Sequence, residues 1–235
     1  MNNEMVSQYV RVEEFLNDLR VEYDMCLKTG VITDRFRVIA QDIIVKLKTL
    51  LDQAMGCFFE KHIQPKIPAG ENVTKARVYF PIADDLHSLK STLGRGLMSD
   101  LNQHFPLAYQ FIESVQPYRN DANKWLVLLR DYSGERHMRL SPQKQIEETI
   151  TIIKHDKTGS TVAVGSFAPD FTGTIFGATV DVKRQEVNST PVGVSSRKDV
   201  LKNIVFEDSG HSVLLFCAEA YENSKKLIER FSQFI

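Results

Sequence analysis

Glu148-Thr149-Ile150-Thr151-Ile152-Ile153-Lys154 is followed by Asp156-Lys157-Thr158-Gly159 and then by Ser160-Thr161-Val162-Ala163-Val164. The outer pieces alternate polar with apolar side chains, and the middle one has the composition of a tight turn. Together they read as two antiparallel strands. Up to Pro142 the apolar residues instead recur every third or fourth position, the helical period; beyond it they recur every second. That change decides the fold class, α+β, with a four-helix bundle-like part over residues 1–142 and a small antiparallel sheet within 143–235.

Further along, Thr174 to Val182 alternates in the same way and predicts a third strand. Residues 184–198 are polar, contain Pro191 and Gly193, and predict a loop or a sheet edge. Leu201 to Phe206 predicts the last strand. The chain closes on a helix with the stripe Val213, Phe216, Cys217, Ala220, Leu227, Ile228 and Phe231. A one-faced sheet needs a cover. This helix either supplies it, so that 143–235 is a domain, or docks on the preceding helices and makes one integrated domain.

Before the change, Val12, Phe15, Leu16, Leu19, Tyr23 and Cys26 mark a first helix, and Thr29-Gly30 ends it. Thr33 suits the N-cap of a longer helix with the stripe Phe36, Ile39, Ala40, Ile43, Leu47, Leu50, Leu51, Ala54 and Phe58, ending at Pro65 and Pro68. The two predict an antiparallel helical hairpin. Arg77 to Ile82 reads as a short extended piece, and Asp84 to Leu93 as a short helix stopped by Gly94 and Gly96. Pro106 opens another helix, which Pro117 ends. Asn120 or Asp121 caps a fourth main helix carrying Trp125, Leu128, Leu129 and Tyr132, which ends near Gly134.

The 235 residues carry a net charge of −1, so nothing in the bulk electrostatics favours indiscriminate binding to duplex DNA. Hydrophobic content of 43% and charged content of 25% are globular values, which argues against wholesale disorder. Cys26, Cys57 and Cys217 are far apart and sit on apolar helical positions, as buried free thiols in a reducing compartment do. No signal-peptide pattern and no membrane-length apolar run is visible, so the reading is cytoplasmic, with no membrane contact. No phosphate loop, dinucleotide fingerprint or zinc-ligand spacing occurs, and no cofactor or metal is expected.

One cluster stands out where the fourth helix ends: Arg130, Asp131, Glu135, Arg136, His137 and Arg139. An imidazole titrates near neutral pH, and guanidinium groups hold phosphate and stabilise developing charge. A histidine among arginines therefore suits acid–base work on RNA. The plainer account is that basic groups complement the helix C-terminus and that Arg130 pairs with Glu135 at the surface. On the second helix Asp42 and Lys46 have the spacing of a surface pair. Asp52 lies beside the core stripe, placed to reach Arg130 or Arg136 as an interhelical salt bridge or as an orienting carboxylate.

Several blocks resemble a family of proteins without an assigned function found in bacterial and phage genomes. Residues 41–53 are similar to its D-x-L-H-N-L-R-S-x-L-D-H stretch, Tyr79-Phe80-Pro81-Ile82 to its F-P-I segment, and Ile112 to Tyr118 to its I-x-x-L-Q-P-Y segment. Gly134 to Leu140 falls where the family has D-K-H-R, and Phe206-Glu207-Asp208-Ser209-Gly210 resembles its F-x-D-T-G ending. Val45, Lys46 and Gln53 replace the family's His, Asn and His, and Glu135-Arg136-His137-Met138 departs from D-K-H-R. If those polar groups form an active site, this chain lacks part of it.

A looser resemblance is to the HEPN helical superfamily, many of whose members are metal-independent ribonucleases or toxins acting as dimers. Its signature, Arg, a polar residue and a later His, is matched by Arg130, Asp131 and His137. It implies His137 as general acid/base, Arg130 and Arg136 on phosphate, and Asp52 or Glu135 orienting them. Gly134 predicts a helix end between Arg130 and His137. Two function classes follow: a non-enzymatic bacterial protein that binds a protein partner, RNA or itself as a homodimer, and a metal-independent ribonuclease.

Overall fold

The computed structural model describes residues 3–68, 73, 76–134, 143–165, 172–181 and 186–235. The fold is α+β: several N-terminal helices, small antiparallel sheets and a C-terminal helix. It divides into two compact units, one made of Met1–Gln143 with Phe206–Ile235, the other of Lys144–Val205.

In the helical unit, α1 (Asn3–Thr29) and α2 (Asp34–Phe58) pack along each other. Gly30 takes the left-handed conformation (φ 73°) that lets its amide reach the Cys26 carbonyl, 2.9 Å away, and stops α1. Thr33 caps α2 as its position suggests, accepting from the Phe36 amide at 3.1 Å. The buried Glu22 fixes the corner by accepting from the Thr33 hydroxyl (3.1 Å) and pairing with Arg35 (3.0 Å). α2 runs on into a π-helical turn, Phe59–Ile63, and a 3-10 turn, Gln64–Lys66. Residues 76–83, with no helix or strand hydrogen bonding, lead to α3 (Leu86–Arg95), α4 (Leu101–His104), α5 (Pro106–Ser114) and α6 (Trp125–Ser133). Asn120 caps a 3-10 turn, Asp121–Asn123, ahead of α6 rather than α6 itself.

The C-terminal helix α7 (Val213–Phe231), capped by Ser212, takes the second of its two expected places: it belongs to the helical unit and packs on α2, α1 and α6. Its final aromatic, Phe231, is fully buried, with ring centroids 5.7 Å from Phe58, 6.1 Å from Phe80 and 5.8 Å from Phe111. One side chain thereby joins α2, the 76–83 segment and α5. Burying a side chain of this size contributes about 1.5–3 kcal/mol.

The second unit holds two three-stranded sheets among the described residues, in the orders β2-β1-β6 and β3-β4-β5. β1 (Gln143–His155) and β2 (Thr161–Gly165) form the hairpin read from the sequence, with Ile153 opposite Val162. The expected single third strand is instead a hairpin, β3 (Thr172–Ile175) and β4 (Ala178–Asp181). Phe176 and Gly177 turn the chain with φ 52° and 83°, the positive values that a two-residue hairpin loop of this type requires. Among the described residues of 184–198 the second expectation, a sheet edge, holds. They contain β5 (Glu186–Ser189) and the start of β6 (Val194–Phe206), which is longer than the Leu201–Phe206 strand foreseen. β6 runs antiparallel to β1: Asp156 donates to the Gly193 carbonyl at one end, and Lys202 pairs with Glu147 towards the other. A small core forms around Ile153 and Val180, with Val162, Ile175, Phe176, Val187 and Val194 packed on it.

Candidate functional site

The chemistry proposed from sequence centres on the end of α6. Of its residues, Arg130 and Asp52 are described, whereas Glu135, Arg136, His137 and Arg139 lie outside the described residues. α6 ends at Ser133, and Gly134 leaves it with ψ −150°. The helix thus ends where Gly134 suggested.

Arg130 is engaged. Its guanidinium reaches both carboxylate oxygens of Asp84 (3.1 Å), the Asp131 carboxylate (3.0 Å) and the Ile82 carbonyl (3.3 Å). Only a third of its side chain is exposed. Burial on its own would weaken the cation; the two carboxylates reverse that and raise its pKa further. Asp52 is engaged elsewhere. It pairs with Lys48 one turn earlier on α2 and accepts the Phe80 amide at 2.9 Å. Lys48 also lies over the Tyr79 ring, 5.7 Å from its centroid. Among the described residues, Asp52 and Arg130 share neither a hydrogen bond nor an ion pair, so Asp52 serves Lys48 and Phe80 instead of the basic cluster.

What the two residues do share is a task. Residues 80–83 belong to no sheet, so their backbone groups need other partners. Asp52 takes the Phe80 N–H and Arg130 donates to the Ile82 carbonyl. Gln116, fully buried, holds two more: its Nε2 donates to Pro81 O (3.0 Å) and its Oε1 accepts from Ala83 N (2.9 Å). One backbone group of each of four consecutive residues is thus held by side chains from α2, the end of α5 and α6. Gln116 closes its own valence by a second bond from Nε2 to Ile112 O, 2.9 Å.

A second polar knot joins α6 to the start of α7. The Tyr132 ring stacks on Phe206 at 4.2 Å, and its hydroxyl meets Asp208 Oδ1 at 2.9 Å and Ser209 Oγ at 2.6 Å. Gln41 Nε2 donates to the Tyr132 carbonyl, 2.9 Å away. Burial pushes the Tyr132 phenol up to about 12, so it stays protonated and donates at neutral pH. Tyr132→Phe keeps the ring stack and removes both hydroxyl contacts. It is expected to cost about 1–2 kcal/mol, read as a lower urea midpoint at unchanged slope. No change in the midpoint would mean that water serves Asp208 and Ser209 equally well.

Clefts open among the described residues of the helical unit. One of about 460 Å³ is lined by Lys66, Leu97, Met98, Asp100, His104 and Phe105 among others; one of about 290 Å³ lies among Trp125, Leu128, His211, Phe216 and Glu219. Neither contains Arg130 or Asp52 among its described lining. Among the described residues no group of three or more His, Cys, Asp or Glu could hold a metal ion, and no helix is long and apolar enough to cross a membrane. No family model, curated protein or solved structure matches the chain.

Asp84, Gln116, Tyr132 and Asp208 are the polar residues that the candidate-site reading missed. Asp84 had no local signal, since its partner Arg130 is 46 positions away. Gln116 carried one: a lone amide between the apolar stripe of a helix and Pro117.

Proposed function

We propose that the protein works by binding a partner and not by catalysis. The observation that carries this reading is the state of Arg130. A phosphate-binding arginine in a ribonuclease needs guanidinium N–H groups turned to an open site. Here Nε is taken by Asp131 and Nη1 by Asp84 and the Ile82 carbonyl, so two carboxylates already meet the charge a phosphate would need. Asp52, the orienting carboxylate of that reading, is taken by Lys48 and the Phe80 amide. Both behave as braces of the helical unit.

The working compartment is the cytoplasm, favoured by three free cysteines, two of them buried. Kinship with the bacterial and phage family is favoured by the mutual support of Asp52, Phe80 to Ile82 and Gln116, which come from separate blocks of the resemblance. The partner is a protein, RNA or a second copy of the chain.

The test is incubation of a labelled structured RNA with wild type, Arg130→Ala and His137→Ala in EDTA. The expected result is no cleavage by any of the three. Cleavage that survives EDTA and is lost in both variants would establish the metal-independent ribonuclease instead. A gel shift of the intact RNA would identify RNA as the partner.

A further inference from the structure

The cleft of about 460 Å³ in the helical unit has the size that encloses a small molecule. Ile67, Leu97, Met98, Leu101 and Phe105 give it apolar walls. The chain changes course to build it. α2 passes through the π-helical turn Phe59–Ile63, a form common at functional sites, into the 3-10 turn Gln64–Lys66. His62 and Lys66 meet the same ring there. The His62 ring lies 5.5 Å and the Lys66 ammonium 4.3 Å from the centroid of Phe105.

Leu97 stands where glycine is the usual residue. Its amide donates to Gly94 O at 3.0 Å and that of Met98 to Leu93 O at 2.9 Å, the paired bonds that end a helix through one left-handed residue. That residue is Leu97, with φ 60°. Leucine is strained in this conformation and glycine is not. Gly96 cannot trade places with it, because a β-carbon there would lie 2.7 Å from Met98 Cε and 3.3 Å from Arg77 O. What leucine contributes at this position, and glycine would not, is a side chain on the wall of the cleft. Strained residues of this kind gather at binding sites.

Two opposite charges line the same cleft without meeting one another. Lys66 is exposed, with its ammonium over the Phe105 ring. Asp100 is exposed too and stands at the N-cap of α4, yet its carboxylate caps nothing. Among the described residues neither takes part in an ion pair. A simple anion in the cleft would be repelled by Asp100 and a simple cation by Lys66. A ligand that carries both charges on an apolar body suits both residues and the walls. His104, also in the lining, adds a hydrogen-bonding imidazole.

We propose that this cleft binds a free α-amino acid with an apolar side chain. Its carboxylate meets Lys66, its ammonium meets Asp100, and its side chain packs on Leu97, Met98 and Phe105. The Phe105 ring holds the Lys66 ammonium beside the cleft by a cation–π contact, so little side-chain freedom is lost when the carboxylate arrives. Arg130 and Asp52 are not among the described lining residues, so amino-acid binding does not depend on whether the protein also cuts RNA.

Calorimetric titration of the whole protein with L-phenylalanine should give saturable binding, with a dissociation constant of about 1 mM or tighter. N-acetyl-L-phenylalanine lacks the ammonium and L-phenylalaninamide lacks the carboxylate. Each should bind at least about tenfold more weakly. Variants separate the two ends. Lys66→Met should bind phenylalanine and its amide equally, and Asp100→Asn should bind phenylalanine and its N-acetyl form equally. Both residues are exposed, so neither change threatens the fold. Leu97→Gly relieves the strained backbone and removes part of the wall, so affinity should fall without a lower melting temperature. No saturable heat up to about 10 mM overturns the proposal, as does an N-acetyl form or an amide that binds as tightly as phenylalanine. A variant of Lys66 or Asp100 that binds weakly yet keeps the wild-type preference overturns the role given to that residue.

Discussion

Gln116→Leu is expected to lower the stability of the helical unit by about 3–4 kcal/mol, although it keeps the volume and adds apolar surface. The amide is fully buried and makes three hydrogen bonds, to Pro81 O, Ile112 O and Ala83 N. Ala83 is itself buried, so its N–H has no water to turn to. A buried donor without a partner costs about 1–3 kcal/mol, and the Pro81 carbonyl adds a second penalty of the same kind. Leucine's gain from burial offsets only part of this, since Gln116 already fills the site. At about 2–4 °C per kcal/mol for a unit of this size, the melting transition should fall by about 10 °C. The urea slope should not change, because the same surface is exposed on unfolding. A loss under about 1 kcal/mol would show that residues 80–83 find other partners, and the account of them as a segment held by side chains would fail.

The sequence was legible where one side chain or one period decides the structure. α1, α2 and α7 carry long apolar stripes, and Thr33 caps α2 where its position predicts. The β3–β4 turn was missed because alternation continues through it and because phenylalanine is a rare occupant of positive φ; Gly177 was the only cue. The site was less legible for a different reason. Asp52 was read as half of a side-chain pair with Arg130, yet one of its partners is the backbone amide of Phe80, which carries no residue identity. Its other partner, Lys48, has the same helical spacing as Asp42 and Lys46, and spacing alone gave no way to choose between the two pairs. Arg130 was singled out as part of a candidate site, but its partners in the fold were not legible. The reason lies in Asp84, Asp131 and Ile82 meeting it in space, and only Asp131 is its neighbour in sequence.

Asp52 gives a test that separates its charge from its hydrogen bond. Asp52→Ala strands the Phe80 N–H and leaves Lys48 half-buried without its carboxylate, and should cost about 2–3 kcal/mol. Asp52→Asn keeps an oxygen for Phe80 and removes the charge, so it should cost under about 1 kcal/mol at pH 7. The pH dependence follows from the direction of the carboxyl's shift. Burial raises it above the ordinary aspartate value, and Lys48 and the Phe80 amide only partly oppose this. A carboxyl raised in this way holds its proton more tightly in the folded chain than in the unfolded one. Its contribution to stability is complete below about pH 4, where even the unfolded group is protonated, and is lost as the pH rises through its own titration. The amide introduced by Asp52→Asn does not titrate, so wild type should gain on that variant as the pH is lowered from about 7 to about 3, measured as the difference between their urea midpoints. The opposite slope would mean that Lys48 outweighs burial, and that Asp52 is held by its ion pair more than by the segment it anchors.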